Sequence, residues 1–536
     1  MGPLVSGALQ RQWRHVTGAV RRSGVSSFVL VLLVAAIGVI SASSVRLFEA
    51  AIEFLLEAGY HRLPALLDSY GLPHWAPYLL FPFALGLLVP GLKRLVPKPD
   101  RHHAIPLVII SMIRRDGAIR PLTTLLKTLG AVLTLGAGGS LGREGPVVLL
   151  GGGLGSLLGQ LIRLPAHWRN TLVAAGAGAA IATAFHAPIT GAIFAMEIVL
   201  IQFSARSFAL VALASVTAAQ FSRLLVGGAP FPIPTYEMHS SWEIAVYLGL
   251  GLAIAPLARL YINILYGAES FGQRLKALPG WLKPAVGGIL FGAVAIFVPQ
   301  TLGGGYDTIT DALAGQLPMM LLLTLLAAKL LTIALTSGSG WPGGVFTPAL
   351  FLGSMAGGAY GLAAAKLLPG VVAQPAAYAV VGMAAMIAGA THAPLTAMTL
   401  IFEVTRDYRI ALPAMLACGM AAVFSQHISH YSIDTLHLPD EGVLLPWQVQ
   451  DLREVHVGEG MSTQVHTVRM GMPLKDVIAT MQRFRHGGYP VLDHSGRLAG
   501  MVTLRDVRSV PLETRLVTPV EKVMSRNLVT ITPDLS

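Results

Sequence analysis

Charge is scarce in this chain. Asp, Glu, Lys and Arg make up 12% of its 536 residues, about half the ~25% usual in a soluble domain. That shortage excludes a wholly water-soluble protein. Cysteine is nearly absent, and Cys418 alone, in an apolar stretch, excludes an intramolecular disulfide or a cysteine metal cluster. Acids are missing before Glu49, whereas Arg11, Arg14, Arg21 and Arg22 are present. By the positive-inside rule this reads as a cytoplasmic amino terminus. The net charge of +11 then follows membrane topology, and no nucleic-acid partner is implied. Long unbroken apolar runs are also few. Ser27–Ala42 (continuing amphipathically to Leu56), Pro77–Val96, Phe208–Val226, Ile244–Leu265 and Pro318–Leu335 approach or reach the roughly 20 residues a span requires.

What is abundant is apolar sequence, 54% of the chain, with a mean hydropathy of +0.64. Much of it is interrupted by glycine, as in Val147–Leu161 and Leu172–Thr183. Short helices at membrane depth are tolerated only within protein or around a watery cavity. A cleaved signal peptide is the competing reading of the Ser27 run. It is disfavoured because the run flows into an amphipathic helix and further spans follow.

Two motifs recur in the same order about two hundred residues apart. His186-Ala187-Pro188-Ile189-Thr190, followed by Glu197, returns as His392-Ala393-Pro394-Leu395-Thr396, followed by Glu403. Upstream, Gly142, Pro146, Gly151 and Gly155 are answered at identical spacing by Gly344, Pro348, Gly353 and Gly357. Gly/Pro-broken apolar segments at corresponding positions of two halves point to a transport site between inverted repeats. The expected fold is an all-α polytopic membrane protein with inverted-topology repeats, the first over 27–230 and the second over 231–438. About seven apolar segments precede residue 230, and an odd number of crossings would invert the second copy.

Gly142-Arg143-Glu144-Gly145-Pro146 opens one apolar helix. Proline is favoured in a first turn, and glycine lets the backbone approach a ligand closely. A helix amino terminus offers unpaired N–H donors and partial positive charge to an anion. Glu144 sits in that same place, so one carboxylate can be both plug and proton carrier. The alternative is a carboxylate that only caps its helix. In Gly343-Gly344-Val345-Phe346-Thr347-Pro348 the acid gives way to apolar residues, leaving amides to face an anion without a competing charge. Phe346 either lines the path with its slightly positive ring edge or packs at the helix start.

These segments resemble the CLC family of chloride channels and chloride/proton exchangers, from roughly Ser27 to the end of the chain. The resemblance implies a homodimer with one anion pathway per subunit, built from tilted and broken helices in the cell inner (plasma) membrane. It implies Glu144 as gate and proton carrier, and anion binding by His103, Ala104, Arg143, Gly145, Gly344, Val345 and Phe346. Chloride is the transported ligand, and no cofactor, metal or enzymatic activity is implied.

Three departures stand out. His102-His103-Ala104-Ile105-Pro106 replaces the family's Gly-Ser-Gly-Ile-Pro, setting His103 where serine is usual. A neutral imidazole donates one hydrogen bond, and a protonated one would hold an anion more tightly; the alternative is a histidine that only packs. The family's inner tyrosine aligns with Asp434, Tyr431 lying one turn earlier. An anionic Asp434 beside chloride would be unfavourable, so the inner gate stays open between the two. Ile198 follows Glu197 where many proton-coupled members have an internal glutamate. Coupled exchange and passive conduction both remain as readings, with exchange slightly ahead. Glu197 and Glu403 are expected to be structural charge partners, Arg206 and Arg406 being candidates for pairing.

A rival from another class is an intramembrane metalloenzyme using His186, His392, Glu197 and Glu403. The eleven-residue offset within each repeat puts His and Glu ~16 Å apart on a straight helix, too far for a common ion.

Composition becomes ordinary and soluble past residue 440. After a linker over 439–455, Met461-Ser462 and Met524-Ser525 head similar segments. A helix over Leu474–Phe484 and strands over Gly488–Leu492 and up to Thr503 lie between them. This resembles a CBS module over 456–511 and the start of a second over 512–536, a small α/β region expected on the cytoplasmic side. Thr503 and Asp506 match the family's nucleotide-holding pattern. With the second module cut short, a complete adenine-nucleotide site is not expected.

Overall fold

The computed structural model describes residues 27–226, 240–372, 374–439, 442–443, 456–484, 486–511 and 513–535. The basic segment 1–26, and nearly all of the expected linker, lie outside the described residues. The chain divides into two compact units, Met1–Val443 and Leu444–Ser536.

The first unit is helical. Its first half contains α1 (Ser27–Glu57), α2 (Leu63–Ser69), α3 (Ala76–Leu95), α4 (Ala104–Arg114), α5 (Pro121–Gly136), α6 (Glu144–Leu161), α7 (Ala166–Phe185), α8 (Pro188–Phe194) and α9 (Ala205–Val226). The second contains α10 (Glu243–Arg274), α11 (Lys283–Phe297), α12 (Tyr306–Leu313), α13 (Met319–Gly338), α14 (Phe346–Leu367), α15 (Pro375–Thr391), α16 (Pro394–Thr405) and α17 (Ala411–Ile428). Setting α2 aside, the halves correspond one to one: α1 with α10, α3 with α11, and so on to α9 with α17. Seven helices among the described residues are long and apolar enough to cross a membrane, three before residue 230 and four after it. The spans at Phe346–Leu367 and Tyr408–Ile428 were not among the apolar runs read from the sequence. Glycine and alanine dilute the first of these.

The correspondence extends to backbone detail. α7 ends at His186 (φ 52°) and α15 at His392 (φ 58°), both left-handed, a conformation uncommon for non-glycine residues. Proline then restarts the chain as α8 and as α16, in the first turn where its missing N–H costs nothing. Glycine sets the packing between consecutive helices. A Cβ on Gly151 would lie 2.1 Å from the Gly176 carbonyl oxygen, and one on Gly353 would lie 2.5 Å from that of Gly382. The recurring glycines therefore let α6 press on α7 and α14 on α15.

The second unit forms a three-stranded sheet of order β1 (Val468–Arg469), β2 (Gly488–Leu492), β3 (Leu498–Thr503). β1 runs parallel to β2, and β2 antiparallel to β3. The helix over Leu474–Phe484 buries Leu474, Val477 and Met481 against Tyr489, Val491 and Val502 of the sheet. Farther on, Ser525 pairs with Met501 through an isolated antiparallel bridge.

Candidate functional site

Two helix starts meet at the centre of the membrane unit. Gly142 and Gly344 form an antiparallel bridge in which each N–H donates to the other's carbonyl at 2.7 Å. Gly145 and Gly344 also touch, since a Cβ on Gly145 would sit 3.0 Å from the Gly344 Cα. The reciprocal pattern is that of a two-fold axis between the repeats. It brings the amino terminus of α6 against that of α14, the juxtaposition expected from the sequence. One expectation is corrected here. The Gly344 amide is already bonded to Gly142, so it is not free to hold an anion.

Glu144 is fully buried at this junction. Its Oε2 accepts from the Thr347 N–H at 3.1 Å and from the Thr347 hydroxyl. Its Oε1 accepts from the Tyr306 hydroxyl at 2.5 Å. The carboxylate thus rests on the amino terminus of α14, in the opposite repeat, where orphan amides favour negative charge. Val345 and Phe346, at the mouth of that helix, have no carbonyl one turn back within it to bond. Their neighbourhood is fixed by Tyr261, whose hydroxyl donates to the Val345 carbonyl at 2.7 Å. The Phe346 ring is buried beside Phe185 and Phe194, with centroids 6.0 and 6.3 Å away. The ring thus packs against both of these aromatics.

Arg143 holds the other side of Glu144. Its Nη1 lies 2.8 Å from Glu49 Oε1, its Nη2 donates to the Ala184 carbonyl at 3.3 Å, and its guanidinium stacks 4.3 Å from the Tyr306 ring centroid. Glu49 is in turn paired with Arg46 at 2.6 Å, and Arg46 reaches His186 Nε2 at 2.8 Å. A buried charge is tolerable when it is paired, and each charged group of this chain has an opposite charge beside it, although Glu49 Oε1 and Arg143 Nε themselves accept and donate no hydrogen bond among the described residues.

His103 caps the start of α4, and Ala104 follows with its Cβ facing Gly145. His103 Nε2 lies 3.0 Å from Glu269 Oε1. Both line a cavity of about 290 Å³ that also reaches Ala104, Pro146 and Trp341. Asp434 is buried and Tyr431 half-buried, in the segment after α17. Asp434 is within electrostatic reach of His103, and the Tyr266 hydroxyl pins the segment through the Ile433 carbonyl at 2.5 Å.

The matched glutamates are placed differently from expectation. Glu403 accepts from the Ile189 and Thr190 amides at 2.9 and 2.6 Å and from the Thr190 hydroxyl at 2.7 Å. Glu197 accepts from Leu395 and Thr396 at 3.1 and 2.7 Å and from the Thr396 hydroxyl at 2.7 Å. Each acid caps the helix of the other repeat, so helix amides replace the arginines suggested as partners. Arg206 instead stacks over Trp168 at 4.3 Å. This cross-capping also commits the two acids of the metalloenzyme alternative to opposite helix starts. In the tail, Thr503 and Asp506 form a capping box, which binds their side chains to each other and to backbone amides. Tyr306, Tyr261, Glu49 and Glu269 escaped the sequence reading because each lies far along the chain from the motif it serves, and Thr347, though inside the second motif, was given no role because its partner Glu144 lies in the other repeat.

The model of the voltage gated chloride channel family matches residues 83–426, and that of the CBS domain matches 452–513. A putative ClcB-like chloride channel protein of Ralstonia nicotianae is 37% identical over 69% of this chain and 89% of its own length. The H(+)/Cl(-) exchange transporter ClcA of Citrobacter koseri is 34% identical over 56% of this chain and 65% of its own. The crystal structure of a slow cyanobacterial Cl-/H+ antiporter superposes with a TM-score of 0.70 at 25% identity, over 77% of this chain and 97% of that one. Opposed helix starts, duplicated motifs and these matches agree: the chain belongs to the voltage-gated chloride channel (CLC) family.

Proposed function

We propose that this protein carries chloride across the membrane in exchange for protons, with Glu144 as both gate and proton carrier. The observation that carries the reading is the Glu144 carboxylate lying on the Thr347 amide at the start of α14. An ionised carboxylate there fills the seat an anion would take. Protonation weakens its hold on the amide and hydroxyl donors, since hydrogen bonds to charged acceptors are about twice as strong as neutral ones. The side chain can then leave, chloride takes its place, and the proton travels with the carboxyl group.

In this reading the anion is held by amides of Val345 and Phe346, with Gly145, Ala104 and the His103 imidazole completing its surroundings. Arg143 acts by positioning Glu144. The inner gate is read as Asp434 or Tyr431, the charge of Asp434 reaching His103. The protein is read as a homodimer in the inner membrane, with the amino terminus and the CBS region cytoplasmic. It has no enzymatic role. Support for these last points comes from the family resemblance and the distribution of basic residues.

Passive conduction is the second reading, favoured by Ile198, an apolar residue directly after Glu197. Purified protein in vesicles with an imposed chloride gradient separates the two. Exchange predicts uphill proton movement that Glu144→Gln abolishes, leaving chloride flux independent of pH. Chloride flux without proton movement would overturn coupling.

A further inference from the structure

His103, read above as an anion ligand, already carries a carboxylate on its ring. Glu269, near the carboxyl end of α10, approaches His103 Nε2 with both oxygens, at 3.0 and 3.2 Å. His103 occupies the N-cap position of α4 without a side-chain bond to the helix, so its ring stands beside the amino terminus of a helix, where anions are favoured. The His103 ring is steadied by the edge of Tyr266, 5.7 Å between centroids, which itself packs on His437 at 4.6 Å.

The cavity gives this pair access. His103 is 31% and the Glu269 side chain 22% exposed, in contrast to the fully buried Glu144. Lys93, Arg101, Lys127 and Lys283 line the same cavity, and Lys127 Nζ donates to the His102 carbonyl. An anion is therefore drawn in by four cations and meets one carboxylate on the histidine. Lys93 also lies within electrostatic reach of Glu269. A displaced Glu269 thus has a cation to turn to, which makes displacement inexpensive relative to stranding the charge.

We propose that Glu269 is a second plug: it occupies His103 at the cavity end of the pathway, and an entering anion must displace it. This rests on the reading of His103 as an anion ligand. It gives the pathway an acid at each end, one fully enclosed at the start of α14 and one open to the cavity. Asp434, the other acid whose charge reaches His103, is buried in the segment that the Tyr266 hydroxyl holds through the Ile433 carbonyl.

The test combines binding and flux. Glu269→Gln should raise chloride flux in vesicles about tenfold at neutral pH and tighten bromide binding to detergent-solubilised protein by a similar factor, both read against wild type. The factor corresponds to losing one hydrogen-bonded competing charge. In a His103→Ser background the same change should alter neither quantity, because no imidazole remains for the acid to occupy. Glu269→Asp keeps the charge but shortens the reach, and should behave like Glu269→Gln. Unchanged bromide affinity in Glu269→Gln, or an equal gain with and without His103, would overturn the proposal. Wild-type protein that moves no chloride would refute the transport reading instead, while the bromide titration would still judge Glu269.

Discussion

The starts of α6 and α14 are the same structural object with opposite electrostatics. Both open after a glycine of one antiparallel bridge, both place proline in the first turn, and both press on the next helix through paired glycines. Yet α6 opens with Arg143 and Glu144, whereas α14 opens with Val345 and Phe346. Duplication supplied two anion-attracting helix ends, and only one acquired a charge of its own. That charge is satisfied by the other end, through Thr347. A gate arises when a symmetric scaffold carries an asymmetric substitution. The same division separates the starts of α4 and α12, where His103 meets Glu269 and Tyr306 meets Glu144.

The comparison breaks most severely through its glycines. Gly151→Ala and Gly353→Ala drive a methyl into a backbone carbonyl, and overpacking of this kind costs about 1–3 kcal/mol. Both variants should yield little monodisperse protein on size-exclusion chromatography. Gly280→Ala, which meets nothing within 4 Å, should leave the yield unchanged. Equal yields for all three would contradict the packing argument.

The reciprocal caps come next. Glu403→Ala and Glu197→Ala each strand two amides and a hydroxyl in the opposite repeat, at about 1–3 kcal/mol per unsatisfied group. Thermal unfolding in detergent should show similar decreases in midpoint for both variants. A loss confined to one would mean that the repeats are not energetically equivalent.

Smaller effects sharpen the picture at the gate. Tyr306→Phe keeps the ring under Arg143 and removes one hydrogen bond to Glu144, worth about 1.5 kcal/mol or more to a charged acceptor. Chloride flux at neutral pH should rise about tenfold, because the carboxylate leaves its seat more readily. Thr347→Ala removes the hydroxyl but leaves the amide, and should likewise raise flux about tenfold, since that hydroxyl also donates to the charged carboxylate. Flux assays across pH 5–8 check both. Unchanged flux in Tyr306→Phe would show that its hydroxyl does not hold the gate.

Much of this architecture was legible because duplication writes itself twice. The recurrence of His186 to Glu197 as His392 to Glu403 exposed the repeats, and Gly142 and Gly344 marked the helix ends that touch. Composition alone separated the soluble tail, whose helix at Leu474–Phe484 and strand at Gly488–Leu492 match the periods of their apolar residues. The partners were not legible. Glu403 bonds Thr190 from the other repeat, Tyr306 reaches Glu144 across the junction, and Glu269 meets His103 from a long helix with no motif around it. Such contacts depend on a two-fold relation that no local spacing encodes. The role given to Gly344 failed for the same reason, because its amide is taken by the symmetric glycine.

The central claim is that the Glu144 carboxylate and a transported anion compete for one seat at the start of α14. Bromide diffusion into crystals of Glu144→Gln and of wild type, followed by anomalous scattering, tests it most directly. The account predicts bromide beside the Val345 and Phe346 amides, at the position of the Glu144 carboxylate, stronger in the variant than in wild type. Bromide elsewhere, or at that seat with equal strength while Glu144 stays bonded to Thr347, would contradict it.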